Sequence, residues 1–186
     1  YEARLGEDLD GDGAIWSTAS ESLTAIDTDT RGAKLFVDDS KNLYVQAAGS
    51  TNKSSLLEEG TPLNLHYSVT EGDNTYSGTP VAIEAIDLDS NGANDAYRLL
   101  VREKETEGST TKTTYYSVNA DLTTLKIDWG SYGTYETAKP MEAAFNMDLD
   151  GDGSVFSIDS KKATEVATDS TGAKLRTQDG TLFIKD

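Results

Sequence analysis

Two short stretches of the sequence place carboxylates at alternating positions. "DLDGDGAI" begins at Asp8 and "DLDGDGSV" begins at Asp148. Asp at loop positions 1, 3 and 5 followed by Gly at position 6 is typical of the first half of an EF-hand-type loop. Such carboxylates repel one another unless a cation binds between them. Ca²⁺ is coordinated by six to eight oxygen atoms. The sequence therefore predicts Ca²⁺ ligands in both loops: Asp8, Asp10, Asp12, Asp148, Asp150 and Asp152.

The second half of each loop departs from the EF-hand pattern. Position 12 is Ala19 in the first loop and Asp159 in the last, where an EF-hand has Glu. The stretch "GSVFSID" predicts a strand in place of an exiting helix. The missing ligand must be Asp159, a water or a residue from outside the loop. Glu2 and Glu142 stand six residues before their loops, so a helical turn could return them to the metal; the alternative is a solvated helix residue.

A third acidic loop lies in the middle of the chain. "DLDSNGAND" offers Asp87, Asp89, Asn91 and Asp95 around a Gly. It resembles the strand–loop–strand calcium hairpin of β-propeller blades, and the flanking "VAIEAI" and "AYRLLV" predict paired strands. An ordinary Asp/Asn/Gly turn is the alternative.

Charge and composition narrow the classes of partner. The chain has 33 acidic and 16 basic residues, a net charge of −17, which argues against nucleic acid and anionic membranes. Three Ca²⁺ would bring that charge to about −11. The absence of Cys excludes disulfides and thiolate metal sites. No apolar run reaches the length of a membrane span. We interpret the sequence, which starts at Tyr1 without a signal peptide, as a mature product or an excised segment.

The acidic loops belong to a longer internal repeat with an offset of 140 residues. "TAIDTDTRGAKL" from Thr24 aligns with "TEVATDSTGAKL" from Thr164, and a one-residue deletion follows in the second copy. Duplicated units of this kind often form tandem arrays. We therefore divide the chain into a first calcium-loop copy (1–47), a β-rich middle region (48–140) and a second calcium-loop copy (141–186).

The elements that must position these loops are mostly strands. We predict an all-β or β-rich α+β fold, with mostly antiparallel short strands, calcium loops and short helices before the loops. "PLNLHYSV" alternates strictly, which predicts one strand with Leu63, Leu65, Tyr67 and Val69 on a single face. "YEARLGE" and "YETAKPMEAAFN" predict the short helices, and residues 48–60 a polar connection.

The sequence predicts no catalytic residues. His66 is the only His and lies on the polar face of a predicted strand, and no nucleophile, P-loop or dinucleotide motif accompanies it. We therefore do not expect an enzyme. Trp129, Tyr132 and Tyr135 follow one another at a spacing of three and could stack on sugar rings; core packing is the alternative.

The run "E-x₅-D-L-D-G-D-G-x-I/V", followed by "T-x₃-T-D-x-x-G-A-K-L", is similar to the tryptophan-rich repeat domains of large secreted bacterial proteins, notably cyanobacterial ones. The resemblance covers about two-thirds of the chain, which has only Trp16 and Trp129 where that family is rich in Trp. It implies an extracellular, calcium-dependent structural module without catalytic activity.

These observations predict an extracellular or cell-surface calcium-binding structural module of a bacterial surface protein, adhesin or filament. Its expected partners are copies of itself or neighbouring repeats, assembled head-to-tail or in tandem. The alternative is a calcium-dependent carbohydrate-binding module, whose partner would be a polysaccharide.

Overall fold

Antiparallel strands dominate the computed structural model, which describes residues 22–157, 162–168, 174–178 and 181–185. The fold is β-rich, as predicted. The chain divides into two compact units, Tyr1–Glu136 and Thr137–Asp186. Among the described residues, no helix is both long and apolar enough to cross a membrane.

The described part of the first unit begins with a four-stranded meander. Turn residues separate short apolar segments such as "KLFV" and "LYVQ", and each segment pairs with the one before it. A two-stranded ribbon then leads into the middle of the chain. The strands are β1 (Thr24–Thr28), β2 (Lys34–Val37), β3 (Leu43–Gln46), β4 (Ser54–Ser55), β5 (Leu57–Glu58) and β6 (Thr61–Pro62).

A larger five-stranded sheet follows, with the strand order β11-β10-β9-β8-β7. Its three central strands have 13, 12 and 12 residues, so the longest strands lie in the middle region. Gly108, at φ 57°, occupies the first central position of the turn between β9 and β10, which suits a two-residue type II′ hairpin. The strands are β7 (Tyr67–Glu71), β8 (Asn74–Ile86), β9 (Ala96–Glu107), β10 (Thr110–Asp121) and β11 (Ile127–Tyr135).

One apolar core joins these two sheets, which together form a half-barrel. The meander contributes Leu35 and Leu43, both fully buried, and the large sheet contributes Ile83 and Leu99 from adjacent strands. Alternation along the strands explains this arrangement, because every second side chain of β9 and β10 faces the meander. The remaining members include Val45, Leu63, Leu65, Tyr97, Val101, Tyr116 and Val118.

Two carboxylates of the meander bind the edge of the large sheet. Strand β7 pairs only with the first part of β8, up to Gly78. Beyond it, Ile83 donates its backbone N–H to Asp27 Oδ2 at 2.9 Å, and Ala85 donates to Asp29 Oδ2 at 3.0 Å. These two backbone N–H groups at the edge of β8 are therefore hydrogen-bonded to side chains instead of to another strand.

The second unit contains a short helix and a second meander. Helix α1 spans Lys139–Phe145, inside the segment that the sequence predicts as helical. Strands β12 (Thr164–Thr168), β13 (Lys174–Gln178) and β14 (Thr181–Lys185) pair in sequence order. Thr164 pairs with Thr177 as Thr24 pairs with Val37, and each first strand has its register shift at the same repeat position. Both copies of the repeat therefore form the same meander.

The structure differs from the sequence predictions in three segments. Pro62 to Val69 is not one strand: Asn64 Oδ1 accepts the His66 N–H at 2.8 Å, and this local turn separates β6 from β7. Consequently Leu63 and Leu65 are buried while Tyr67 and Val69 are exposed.

The connection 48–60 is not merely polar, because it contains β4 and β5 and the fully buried Leu56. Ser154–Ser157, predicted as part of a strand, has neither strand nor helix. Its Phe156 N–H donates to a side chain, Glu142, and therefore does not join a ladder.

Candidate metal centres

Helix α1 delivers Glu142 to the last acidic loop. Pro140 lies in the first turn of the helix, where a missing N–H costs nothing, and Met141, Glu142 and Phe145 form the buried face. The helix is followed by the capping residue Asn146, whose left-handed conformation (φ 49°) turns the chain back. The loop that follows therefore returns to the side of the helix that carries Glu142.

The Glu142 carboxylate is almost fully buried and receives three backbone hydrogen bonds. Its side chain is 1% exposed. Oε1 accepts N–H groups from Leu149 at 3.0 Å and Asp150 at 3.1 Å, and Oε2 accepts that of Phe156 at 3.0 Å. These bonds tie both ends of the loop to the helix, and they offset part of the cost of burying a charge.

The loop carboxylates also shape their own backbone. Asp148 accepts the Gly151 N–H at 2.7 Å and the Gly153 N–H at 2.9 Å, one on each oxygen. Gly153, at loop position 6, has φ 87°, a conformation that glycine adopts without strain. The loop therefore bends at the glycine in position 6.

Three of these carboxylates converge on one point. Glu142, Asp148 and Asp150 each offer an oxygen within 4.8 Å of the others. Two oxygens bound to one Ca²⁺ at 2.3–2.6 Å lie at most about 5 Å apart, so a single ion can contact all three. An all-oxygen, triply negative ligand set suits a hard divalent cation, and waters would complete its coordination.

Asp152, the third carboxylate of the motif, is not part of this group. Its Oδ1 accepts the backbone N–H and the hydroxyl of Ser154, at 2.8 Å and 2.6 Å. Those bonds lower the pKa of this exposed carboxyl group, the hydroxyl of Ser154 most of all. Asp152 is thus bonded within the turn, whereas Glu142 lies beside the carboxylates of Asp148 and Asp150.

The middle loop forms a second cluster at the turn between β8 and β9. Asp87, Asp89 and Asp95 offer oxygens within 4.8 Å of one another. Asp87 Oδ2 accepts the Gly92 N–H at 2.6 Å, which lowers the pKa of the Asp87 carboxyl group. Asp95 Oδ2 accepts the Leu88 N–H at 2.9 Å across the loop. The flanking strands pair up to Ile86 and Ala96, as the hairpin resemblance predicts.

Asn91, the fourth residue of this loop that the sequence predicts as a ligand, forms hydrogen bonds within the loop. Its side-chain amide donates to Asp89 Oδ2 at 2.9 Å, and its Oδ1 accepts the Ala93 N–H at 2.8 Å. It therefore orients a carboxylate of the cluster and closes the turn. The predicted ligands of the first loop, together with Asp159, lie outside the described residues: Glu2, Asp8, Asp10 and Asp12.

The aromatic residues of β11 are separated by a large bulge. Residues 129–132 all lie opposite Val118, because Ser117 pairs with Gly133 and Asn119 with Asp128. Trp129 and Tyr132 lie in this bulge, 44% and 50% exposed. Trp129 Nε1 donates to Glu58 Oε1 at 2.8 Å. The side chains of the bulge are therefore held at the surface.

Tyr132 and Tyr135 lie on opposite faces of the sheet. The Tyr132 ring lies 5.3 Å from that of the buried Tyr116, whereas the Tyr135 hydroxyl lies 3.4 Å from Ser117 Oγ. Tyr116 and Ser117 are neighbours on β10, so their side chains point to opposite faces. The spacing of three thus does not produce a single row of three rings.

Tyr67 extends the exposed aromatic surface, a feature that no pattern in the sequence indicates. Its ring lies over Gly78 on the next strand, where a Cβ would come within 2.1 Å of it. Its hydroxyl donates to Glu103, and burial together with this bond raises the pKa of the Tyr67 hydroxyl. A cleft of about 210 Å³ lies beside it, lined by Tyr76, Glu105 and Thr114 among others.

His66 is half-buried and not on an open polar face. Burial, followed by the nearby charge of Lys41, lowers the pKa of its imidazole. This environment favours the neutral form of the ring at neutral pH.

The chain matches no protein-family model, and neither a curated protein nor a solved structure is significantly similar to it.

Proposed function

We propose that this chain is a calcium-binding structural module of a bacterial surface protein, adhesin or filament, built for tandem or head-to-tail assembly. The single observation that carries this proposal is the convergence of Glu142, Asp148 and Asp150. A carboxylate that is 1% exposed, beside two others within 4.8 Å, concentrates negative charge where the fold can least tolerate it. A divalent cation is the simplest neutralising partner.

Calcium is favoured over magnesium by the composition of the site. Mg²⁺ keeps most of its waters and takes one or two carboxylates, whereas Ca²⁺ accepts several protein oxygens in flexible geometry. The Asp87–Asp89–Asp95 cluster offers the same chemistry in the first unit. A cation at the middle loop would stabilise the β8–β9 hairpin, and a cation at the last loop would stabilise the end of α1. Both roles are structural.

An extracellular location follows from the proposed metal. Sites of this class in extracellular modules bind Ca²⁺ with dissociation constants of about 10⁻⁴–10⁻³ M, so they fill only where Ca²⁺ is abundant. The proposed module would be secured by calcium after export.

Calorimetric titration tests the metal directly. The full chain is titrated with Ca²⁺ and, separately, with Mg²⁺, after chelator treatment. We expect heat from Ca²⁺ binding that saturates by a few millimolar, and a much weaker response to Mg²⁺. In the variant with Asp148→Asn and Asp150→Asn, one class of site should disappear, while the matched surface variant Asp39→Asn should titrate like the parent. An absence of Ca²⁺ uptake up to several millimolar would refute the proposal.

Carbohydrate binding is the second candidate function, and the exposed rings favour it. Trp129 and Tyr132 present flat aromatic surface to solvent, and Glu103 lies close enough to the Tyr132 hydroxyl to raise its pKa after the effect of burial. Aromatic faces bind sugar rings, and carboxylates accept sugar hydroxyls.

Glycan-array screening with Trp129→Ala and Tyr132→Ala as matched variants distinguishes the two functions. Glycan binding that both variants lose would favour the carbohydrate module, whereas a blank array with intact Ca²⁺ uptake would favour the structural one.

A further inference from the structure

The second meander repeats several apolar positions of the first, and the residues at these positions differ in their exposure. In the first copy, Ile26 packs on the core and Leu35 is fully buried against the five-stranded sheet. Their repeat equivalents 140 residues later are Val166 and Leu175. Val166 is 55% exposed and Leu175 is only half-buried.

The backbone places these residues in equivalent positions. Ile26 lies in the register shift between Ala25 and Asp27, and Val166 lies in the matching shift between Glu165 and Ala167. Leu35 pairs with Val45 in the first meander, and Leu175 pairs with Ile184 in the second. The apolar register positions are therefore retained in both copies.

A meander of this kind has a defined partner within the same molecule. Ile26, Leu35 and Val45 share a core with Ile83 and Leu99 of the large sheet. Asp29 Oδ2 also accepts the N–H of Ala85 at the edge of that sheet. The sequence keeps Asp at the equivalent position 169, while Ala167 replaces Asp27. The second copy thus retains the apolar positions of Ile26, Leu35 and Val45 and one of the two carboxylates, while Thr177 replaces Val37.

We infer that the face of the second meander centred on Val166 and Leu175 is a docking surface for another five-stranded sheet of the β7–β11 kind, supplied by the next period of a tandem array. This inference rests on the tandem assembly in the proposed function and names the surface that performs it. The interface between the first meander and β8–β9 is its template. The surface of the partner sheet that would bind this face carries aliphatic and Tyr side chains. The edge of one of its strands offers backbone N–H groups as hydrogen-bond donors.

Thiol labelling tests the surface, because the chain contains no Cys. Val166→Cys is compared in two proteins: the 186-residue chain, and a tandem chain in which residues 48–186 follow Asp186 and only the first Val166 is replaced. In the single chain the thiol should react with an aromatic disulfide reagent at nearly the rate of a free thiol. In the tandem chain its rate should fall about 100-fold, because the next sheet covers it.

Ile26→Cys is the matched control, because Ile26 packs on the core of the first copy in both proteins. The thiol of this variant should therefore react slowly in each protein. Equal labelling of Val166→Cys in the single and the tandem chain would overturn the inference. Protection of Val166→Cys that develops in the single chain as its concentration rises would also overturn it, since the occupant would then be a second copy of this chain.

The labelling and the calorimetry fail independently of each other. Loss of Ca²⁺ uptake with a protected thiol in the tandem chain would remove the metal from the proposed function and leave the docking surface. Normal Ca²⁺ uptake with an unprotected thiol would remove the docking surface and leave calcium binding in the proposed function.

Discussion

Single carboxylates in this protein act through backbone N–H groups as much as through charge. Asp29 accepts the N–H groups of Arg31 at 2.9 Å and Ala33 at 2.7 Å, and that of Ala85 on the other sheet. Glu142 performs a similar function between α1 and the last loop. A carboxylate with three such donors is a rigid connection between two elements, because each bond is strengthened by the charge.

Asp29→Ala should therefore destabilise the first unit more than a surface substitution does. It removes three hydrogen bonds to a charged acceptor from a residue that is 6% exposed. We expect a loss of about 2–4 kcal/mol in the free energy of unfolding, measured by urea denaturation. The exposed Asp39→Ala is the control, with an expected change of about 0.5 kcal/mol or less. Equal effects of the two substitutions would show that Asp29 does not join the sheets.

Glu142→Gln should weaken both the loop and its proposed metal site. The amide keeps one oxygen but places an NH₂ group against backbone donors and removes the buried charge. We expect the Ca²⁺ affinity of that site to fall about tenfold or more, measured by calorimetry. The exposed Glu136→Gln serves as the matched control and should leave affinity unchanged. A Glu142→Gln variant with parental affinity would place the residue outside the site.

At the scale of elements, two turns position the acidic clusters. The turn between β8 and β9 continues a long hairpin, and Asp95 donates its N–H to Ile86 O at 2.8 Å to close it. The last loop instead follows α1, and the left-handed capping residue Asn146 reverses the chain after the helix. A cluster of three carboxylates thus forms both at the end of a hairpin and after a helix.

The Asp87 turn should loosen in acid. The Gly92 N–H, above all, lowers the pKa of the Asp87 carboxyl group below its ordinary value of 3.8. A group whose pKa is lower in the folded state adds stability above its unfolded pKa and loses it as pH falls through the folded value. The Gly92 amide resonance should therefore shift with a midpoint below pH 3.8 in metal-free protein. Asp87→Asn should abolish that titration, and a midpoint above pH 4 in the parent would contradict the assignment.

Over the whole molecule, the fold combines a duplicated meander with a single large sheet in the described chain. The net charge of −17 disfavours the compact state, because folding brings carboxylates together. Any ion that binds only the folded state then raises stability by mass action.

Calcium should consequently raise the melting temperature. Each occupied site adds about 2.7 kcal/mol at a hundredfold excess of Ca²⁺ over its dissociation constant. Scanning calorimetry in chelator and in 5–10 mM Ca²⁺, concentrations of the order that weak extracellular sites require, should show a rise of several degrees. Mg²⁺ at the same ionic strength is the control for simple screening. Identical melting temperatures in chelator and in Ca²⁺ would exclude calcium-linked folding.

The sequence by itself determined the β-rich character of the fold, the repeat and the acidic turns. Strand alternation, turn residues and carboxylate spacing are local properties, and a local pattern is legible in sequence. The helix before the last loop was predictable for the same reason. The equivalence of the two meanders follows from the repeat alone.

Only the tertiary structure decided which carboxylates meet and which aromatic rings face solvent. Glu142 reaches the loop because Asn146 turns the chain, while Asp152 is engaged by Ser154. The bulge of β11 exposes Trp129 and Tyr132 and breaks the simple alternation that sequence reasoning assumes. Contacts between distant segments, such as that of Asp29 with Ala85, depend on how sheets pack, and no spacing along the chain encodes them.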